Sequence, residues 1–202
     1  MNSARREITR RRLYEAAVTL IAEQGFSATT VDEIAERAGV AKGTVYYNFG
    51  GKNDLFTELL RHGVGTLTEA LRRSAHDALA AGGSRTEALD AMIGAALDFV
   101  ARRPAFTRLV VAELWRTNRP WQATLVTARQ EAVAVLETVL AEAVERGELD
   151  EATDVPLTAS AFLGMMLSTA LDWQAFQPGR DITEVHAALA RLARCRTGGV
   201  VA

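Results

Sequence analysis

The stretch Thr30–Phe49, TVDEIAERAGVAKGTVYYNF, constrains this chain more than any other. Thr30 and Glu33 have the S/T-x-x-E spacing of a capping box, which predicts a helix starting at Val31. Ile34, Ala35 and Ala38 give that helix one apolar face. Gly39 predicts its end, because the residue after a helix C-terminus often needs positive φ, which glycine takes without strain. Val40 follows as an apolar plug, and a second short helix is expected from about Ala41 to Asn48, with Val45 and Phe49 turned inward. Two short helices, a glycine turn and a buried aliphatic on either side describe a helix-turn-helix. The second helix carries Lys42, Gly43, Thr44, Tyr46, Tyr47 and Asn48, a set of donors, small groups and amphipathic rings suited to a DNA groove edge.

Charge is distributed to match. The net charge is only −2, so the molecule as a whole is no basic coat for nucleic acid. The first twelve residues nevertheless hold Arg5, Arg6, Arg10, Arg11 and Arg12 against Glu7 alone, while acids outnumber bases from Phe56 onward. Cations at a helix start sit poorly against the helix dipole. The arginines, Arg5 and Arg6 first among them, therefore suggest an arm for DNA phosphates or the minor groove as well as a solvated helix end. Lys42, near the start of its helix, suits a phosphate. Gly43 sacrifices about 1 kcal/mol of helix propensity, which a close backbone approach to DNA would explain. Tyr46 and Tyr47 point about 100° apart, so one is expected half-buried and the other outward.

The run from Thr30 through Lys52 to Asp54-Leu55-Phe56 closely resembles the tetracycline-repressor family of bacterial transcription regulators. The likeness extends back through the Arg-rich first helix and the Glu23-Gln24-Gly25-Phe26 turn, over roughly the first quarter of the chain. The resemblance implies that Lys42, Gly43, Thr44, Tyr46, Tyr47 and Lys52 fall on DNA-contacting positions and Thr30 on a phosphate-contacting one. Ala41 departs from the family pattern, which has a capping residue there, and Asn48 stands where histidine or an aromatic is common. Asn48 can pair with adenine or reach only phosphate.

Alanine and leucine are abundant and only four prolines occur, which favours an all-α fold. Apolar periodicity and breakers predict about nine helices, with breaks near Gly25, Gly39, Gly82-Gly83, Pro104, Pro120, Gly147 and Gln177-Pro178-Gly179. Ser84 and Glu87 form a second capping box, and Asp154 with Pro156 opens a later helix. Helices are expected over about 105–117 and from Pro120 to Arg146, and Gly63 and Gly65 mark a bend or a close contact in a long helix from Lys52. The division expected is residues 1–52 as a three-helix DNA-binding domain and 53–202 as a helical ligand-binding and dimerisation domain.

Phe99, Phe106, Trp115, Trp121, Phe162, Met165, Met166 and Trp173 are large side chains that commonly form core. As a set they also suit a cavity for an apolar or amphipathic small-molecule effector. The resemblance implies a homodimer through the last two helices, a palindromic double-stranded operator, and release of DNA when the effector binds. The alternative is a helical binding or interaction protein without DNA function, which leaves the arginines and Lys42–Lys52 unexplained. His62, His76 and His186 have no metal-ligand spacing, and no nucleophile elbow or phosphate loop occurs, so neither an enzyme, a metal nor a cofactor is expected. Cys195, the single cysteine, excludes an intrachain disulfide and reads as an inert helix residue. No signal peptide and no apolar run near ~20 residues is seen, so a cytoplasmic protein is expected.

Overall fold

A computed structural model describes Asn2–Cys195, with side chains from Ala4 to Ala193; Cys195's side chain lies outside the described residues. The described chain is all-α: α1 Asn2–Gln24, α2 Val31–Ala38, α3 Lys42–Phe49, α4 Lys52–Ala80, α5 Arg85–Arg102, α6 Pro104–Leu114, α7 Gln122–Glu145, α8 Val155–Phe176 and α9 Ile182–Cys195. It forms two compact units. One comprises the chain up to Gly63 together with Ala105–Thr127; the other comprises Val64–Pro104 and the chain from Ala128 on. The boundary inside α4 thus falls later than residue 52, and the α6–α7 connection belongs to the unit that holds α1–α3.

In the first unit the capping box forms as the sequence dictates. Thr30 Oγ1 accepts from the Glu33 amide at 3.2 Å, and Glu33 Oε2 accepts from the Thr30 amide at 2.7 Å. Donation by the Thr30 amide, and after it by the Thr30 hydroxyl and the Gln24 amide, holds the Glu33 carboxyl below its ordinary range. Gly39 takes φ 65°, and its amide closes on Glu36 O while that of Val40 returns to Ala35 O. Ile34, Val45, Leu13 and Ala17 are fully buried where α1 packs on α2 and α2 on α3. Phe26, Phe56 and Trp121 form an aromatic cluster with ring centroids 4.4–5.0 Å apart. Gly63 is a close-packing glycine, since a β-carbon there would lie 2.0 Å from Phe106 Cζ, whereas Gly65 faces open space. Gly63→Ala is therefore expected to destabilise the protein by about 1–3 kcal/mol, and Gly65→Ala to be neutral or slightly stabilising, measurable as opposite shifts of the urea midpoint.

The α6–α7 connection differs from the expected helix bounds. α6 stops at Leu114, and α7 begins only at Gln122. Asn118 takes φ 59°, incompatible with a continuing helix, and its amide donates to Gln122 Oε1 at 3.0 Å. Trp121 is 1% exposed in the aromatic cluster, so burial of its ring sets the path of the preceding residues.

In the second unit α5 packs on α8 and α9, and α8 on α9. The Ser84–Glu87 box and the Asp154 cap, which accepts from Leu157 N at 3.0 Å, start α5 and α8. The α8 helix, with mean hydropathy 1.3, is long and apolar enough to cross a membrane by composition, contrary to the sequence expectation. Its buried Ala159, Phe162, Leu163, Met166 and Ala170 instead make it a core helix of this unit. Val155, Leu157, Ala161 and Met165 keep its mean hydropathy high on faces that stay exposed or half-buried.

Candidate nucleic-acid interface and effector cavity

The α3 helix presents its polar face because Val45, 0% exposed, and Phe49, 6%, anchor the opposite one. Lys42, Gly43, Tyr46 and Tyr47 are exposed; Thr44 and Asn48 are half-buried. Tyr47 is 80% exposed and Tyr46 48%, an outward ring beside a partly packed one, as their angular offset requires. A β-carbon at Gly43 would meet nothing within 4 Å, so packing inside the protein gives no reason for a glycine there. Ala41 provides no side-chain cap, as its residue type dictates. Lys42 Nζ lies 2.9 Å from Asp32 of α2, and this hydrogen bond and charge raise the lysine's pKa.

Three further expected DNA contacts have internal partners. Lys52 Nζ donates to Phe26 O at 2.9 Å and Thr29 O at 2.7 Å, and sits 4.4 Å from the Phe26 ring centroid. It therefore ties the turn before α2 to the start of α4. Asn48 Nδ2 donates to Thr44 O at 2.8 Å, while Asn48 Oδ1 is buried without a partner. Thr30 is exposed but committed to its cap. Arg5 and Arg6 are exposed on the first turns of α1, so they belong to a helix and not to an extended arm. Arg10 is structural: it donates to Tyr14 Oη at 2.8 Å, to Glu58 Oε2 at 3.2 Å and to Asn48 O at 3.4 Å. Burial, partly offset by Arg10, raises the Tyr14 phenol pKa.

The second unit contains a cavity of about 720 Å³ among α5, α7, α8 and α9. Leu89, Ile93, Leu140, Phe162 and Met165 are among its apolar walls; Thr86, Asp90, Thr153, Asp154 and Thr158 supply polar groups. Of the eight large residues suggested for a ligand pocket, only Phe162 and Met165 line it. Phe106, Trp115 and Trp121 belong to the first unit, where Trp115 is 86% exposed and the other two are buried. Phe99 and Met166 are core residues of the second unit, and the indole N–H of Trp173 donates to Arg180 O at 3.0 Å. Sequence reading missed Asp90, although Thr86, Leu89, Asp90 and Ile93 form a readable i, i+3, i+4, i+7 stripe. Glu113, which the sequence offers to a cationic ligand or to a solvated helix edge, is instead a 5% exposed carboxylate that accepts from Trp121 Nε1 at 3.0 Å, with Arg116 3.3 Å and Arg119 3.7 Å away.

A capped helix, a left-handed glycine turn and an anchored second helix with an exposed polar face, in a chain with a separate helical unit, define a helix-turn-helix DNA-binding protein. The family model described as bacterial regulatory proteins, tetR family, matches residues 13–59. That described as tetracyclin repressor-like, C-terminal domain, matches residues 82–193, more than half of the chain. The chain belongs to the tetR family of bacterial transcriptional regulators, whose members bind DNA through the helix-turn-helix and are not enzymes. It is 27% identical over 161 residues to the fatty acid metabolism regulator protein of Bacillus subtilis, covering 80% of this chain and 81% of that one. Its fold is that of the fatty acid degradation regulator FadR of Bacillus halodurans, with TM-score 0.82, 23% identity and 96% of each chain covered. Thermus thermophilus FadR, a transcriptional repressor solved in complex with lauroyl-CoA, matches with TM-score 0.66 and 26% identity over 96% of this chain and 97% of that one.

Proposed function

We propose that this protein is a homodimeric repressor that binds a palindromic operator and leaves it when a fatty acyl-CoA thioester binds the second unit. The observation that carries the reading is the apolar-walled cavity of about 720 Å³, within the size range of small-molecule sites, in a relative of a repressor that binds lauroyl-CoA. DNA contact falls to Lys42, Gly43, Thr44, Tyr46 and Tyr47, with Arg5 and Arg6 adding phosphate contacts from α1. Thr30, Asn48 and Lys52 act mainly by fixing the ends of α2, α3 and α4. Residues 1–52 hold the reading head, and 53–202 the effector and dimer functions. The protein acts in the cytoplasm, where its operator is.

Dimerisation through α8 and α9 is supported by an exposed stripe on α8, Leu157, Ala161, Gly164 and Ser168, whose small members let a second helix approach closely; Leu157 and Ala161, like Leu192 of α9, also line the cavity, so its rim adjoins this face. Leu192 of α9 adds an exposed apolar side chain, 58% accessible. A two-fold pair of heads meets a two-fold operator, and an effector that prefers another head spacing shifts the population away from DNA.

The test is selection of bound duplexes from a random pool, followed by titration of the selected duplex with lauroyl-CoA. The expected result is a symmetric site bound by a dimer, or by a pair of dimers, and released by the thioester. Enrichment without symmetry overturns the dimer reading. A symmetric complex that lauroyl-CoA and longer acyl-CoA esters leave intact overturns the effector reading.

A further inference from the structure

We propose that Arg10 is a positioning residue for operator binding, which ties the C-terminal end of α3 to α4 and acts on DNA through α3, not through a phosphate; the inference rests on the operator-contact reading of α3 above. Arg5, Arg6, Arg11 and Arg12 of the same helix are exposed, whereas Arg10 is half-buried. Its Cζ lies 4.5 Å from the ring centroid of Phe49, the last residue of α3. One terminal nitrogen donates to the Asn48 carbonyl at 3.4 Å. The other donates to Tyr14 Oη at 2.8 Å and to Glu58 Oε2 of α4 at 3.2 Å. Tyr14 in turn packs on Phe49, with ring centroids 5.5 Å apart. The remaining oxygen of Glu58, Oε1, pairs with Arg61, which leaves Oε2 turned to Arg10. One guanidinium of α1 therefore meets α1, α3 and α4 at once.

The end of α3 needs such a hold. The helix has eight residues and no side-chain cap at its start, fewer than the roughly 12–15 that sustain a helix in isolation. Its last carbonyls lack donors within the helix. Tyr46 O takes the Gly50 amide, and Asn48 O takes Arg10, whose charge also meets the negative end of the helix dipole. Asn48 spends its own amide on Thr44 O inside α3, so the donor that joins this residue to another helix is Arg10. Tyr46 and Tyr47, on the exposed face, lie in the same turn, and a shift of this end moves both rings. A phosphate contact would draw the guanidinium off three acceptors and leave the Glu58 carboxylate without it. The planar fork of arginine reaches several acceptors together, which the single ammonium of lysine does not.

The test measures binding of a duplex selected by the wild type, using full-length wild type, Arg10→Lys, Glu58→Gln and the double variant at several salt concentrations. Each single substitution is expected to weaken binding about fivefold or more. The slope of log K against log salt stays that of wild type, because no phosphate contact is lost. The double variant is expected to lose less than the product of the two single losses, since the two side chains act as one unit. A phosphate contact gives the opposite signs: Glu58→Gln would release a cation and tighten binding, and Arg10→Lys would keep most of the affinity. Titrations run well below the melting transition of each protein, so a role confined to stability lowers the transition and leaves operator affinity unchanged. If Arg10→Lys does not fold, Glu58→Gln carries the comparison by the sign of its effect. Tighter binding by Glu58→Gln, or wild-type affinity in the folded variants, overturns the proposal and leaves the operator reading standing. A wild type that enriches no duplex overturns both.

Discussion

Replacing Trp121 with alanine is expected to lower the unfolding free energy by about 3–5 kcal/mol, the range for deleting a buried large aromatic. Trp121 is 1% exposed and meets Phe56 and Phe26 edge-on, at 4.4 and 4.5 Å between centroids. The substitution removes this packing and also strips Glu113 of its indole donor, leaving a buried carboxylate to Arg116 and Arg119. Trp121→Phe keeps a ring but loses the N–H, so a smaller loss of about 1–3 kcal/mol is expected. The effect should reach DNA binding. Phe26 packs under Trp121, its carbonyl accepts from Lys52, and the same ammonium holds Thr29, next to the cap of α2. A loosened turn before α2 costs the head its fixed geometry, and operator affinity falls with it. Urea melts of wild type and both variants, with operator titrations below the melting region, provide the check. An alanine variant with an unchanged midpoint would show that the cluster contributes nothing.

The DNA-reading head was legible because its determinants are local. The Thr30–Glu33 box, Gly39 and the apolar pair Val45 and Phe49 lie within one twenty-residue stretch, and each acts on its nearest neighbours. What the sequence hid is non-local. Lys52 reads as a free cation until the fold brings the carbonyls of Phe26 and Thr29 to its ammonium, and Arg10 until Tyr14, Glu58 and the Asn48 carbonyl surround it. Trp121 looks like a pocket residue by type, yet the connection carrying it returns to the unit that holds α1–α3, a pairing that no short window contains. Few of the cavity walls are legible: Phe162 and Met165 stand out by size, whereas a lone acid such as Asp90 on an amphipathic helix ordinarily marks its wet edge. Asn48 shows the same ambiguity at the interface, since its residue type permits base reading but its amide is spent on the preceding turn.

Lys42→Ala is expected to weaken operator binding across sequences and to lower the slope of log K against log salt by about one. The reason is a phosphate contact at the start of α3, where helix amides also favour an anion. In the free protein the ammonium is held by Asp32 at 2.9 Å, but both side chains are more than half exposed, at 56% and 64%. An exposed, solvent-screened pair of this kind is weak, so the carboxylate is readily exchanged for a phosphate. The same geometry gives Asp32 an opposing role: it competes with DNA for Lys42 and leaves a negative charge beside the backbone. Asp32→Asn is therefore expected to tighten binding, and to do so less, or not at all, once Lys42 is alanine. That dependence is a coupling measurable in a double-mutant cycle over several salt concentrations. Stability should change little, because neither residue is buried. A salt slope unmoved by Lys42→Ala would remove the phosphate assignment. An Asp32→Asn gain that persists fully without Lys42 would mean that Asp32 acts on the DNA directly and not through the lysine.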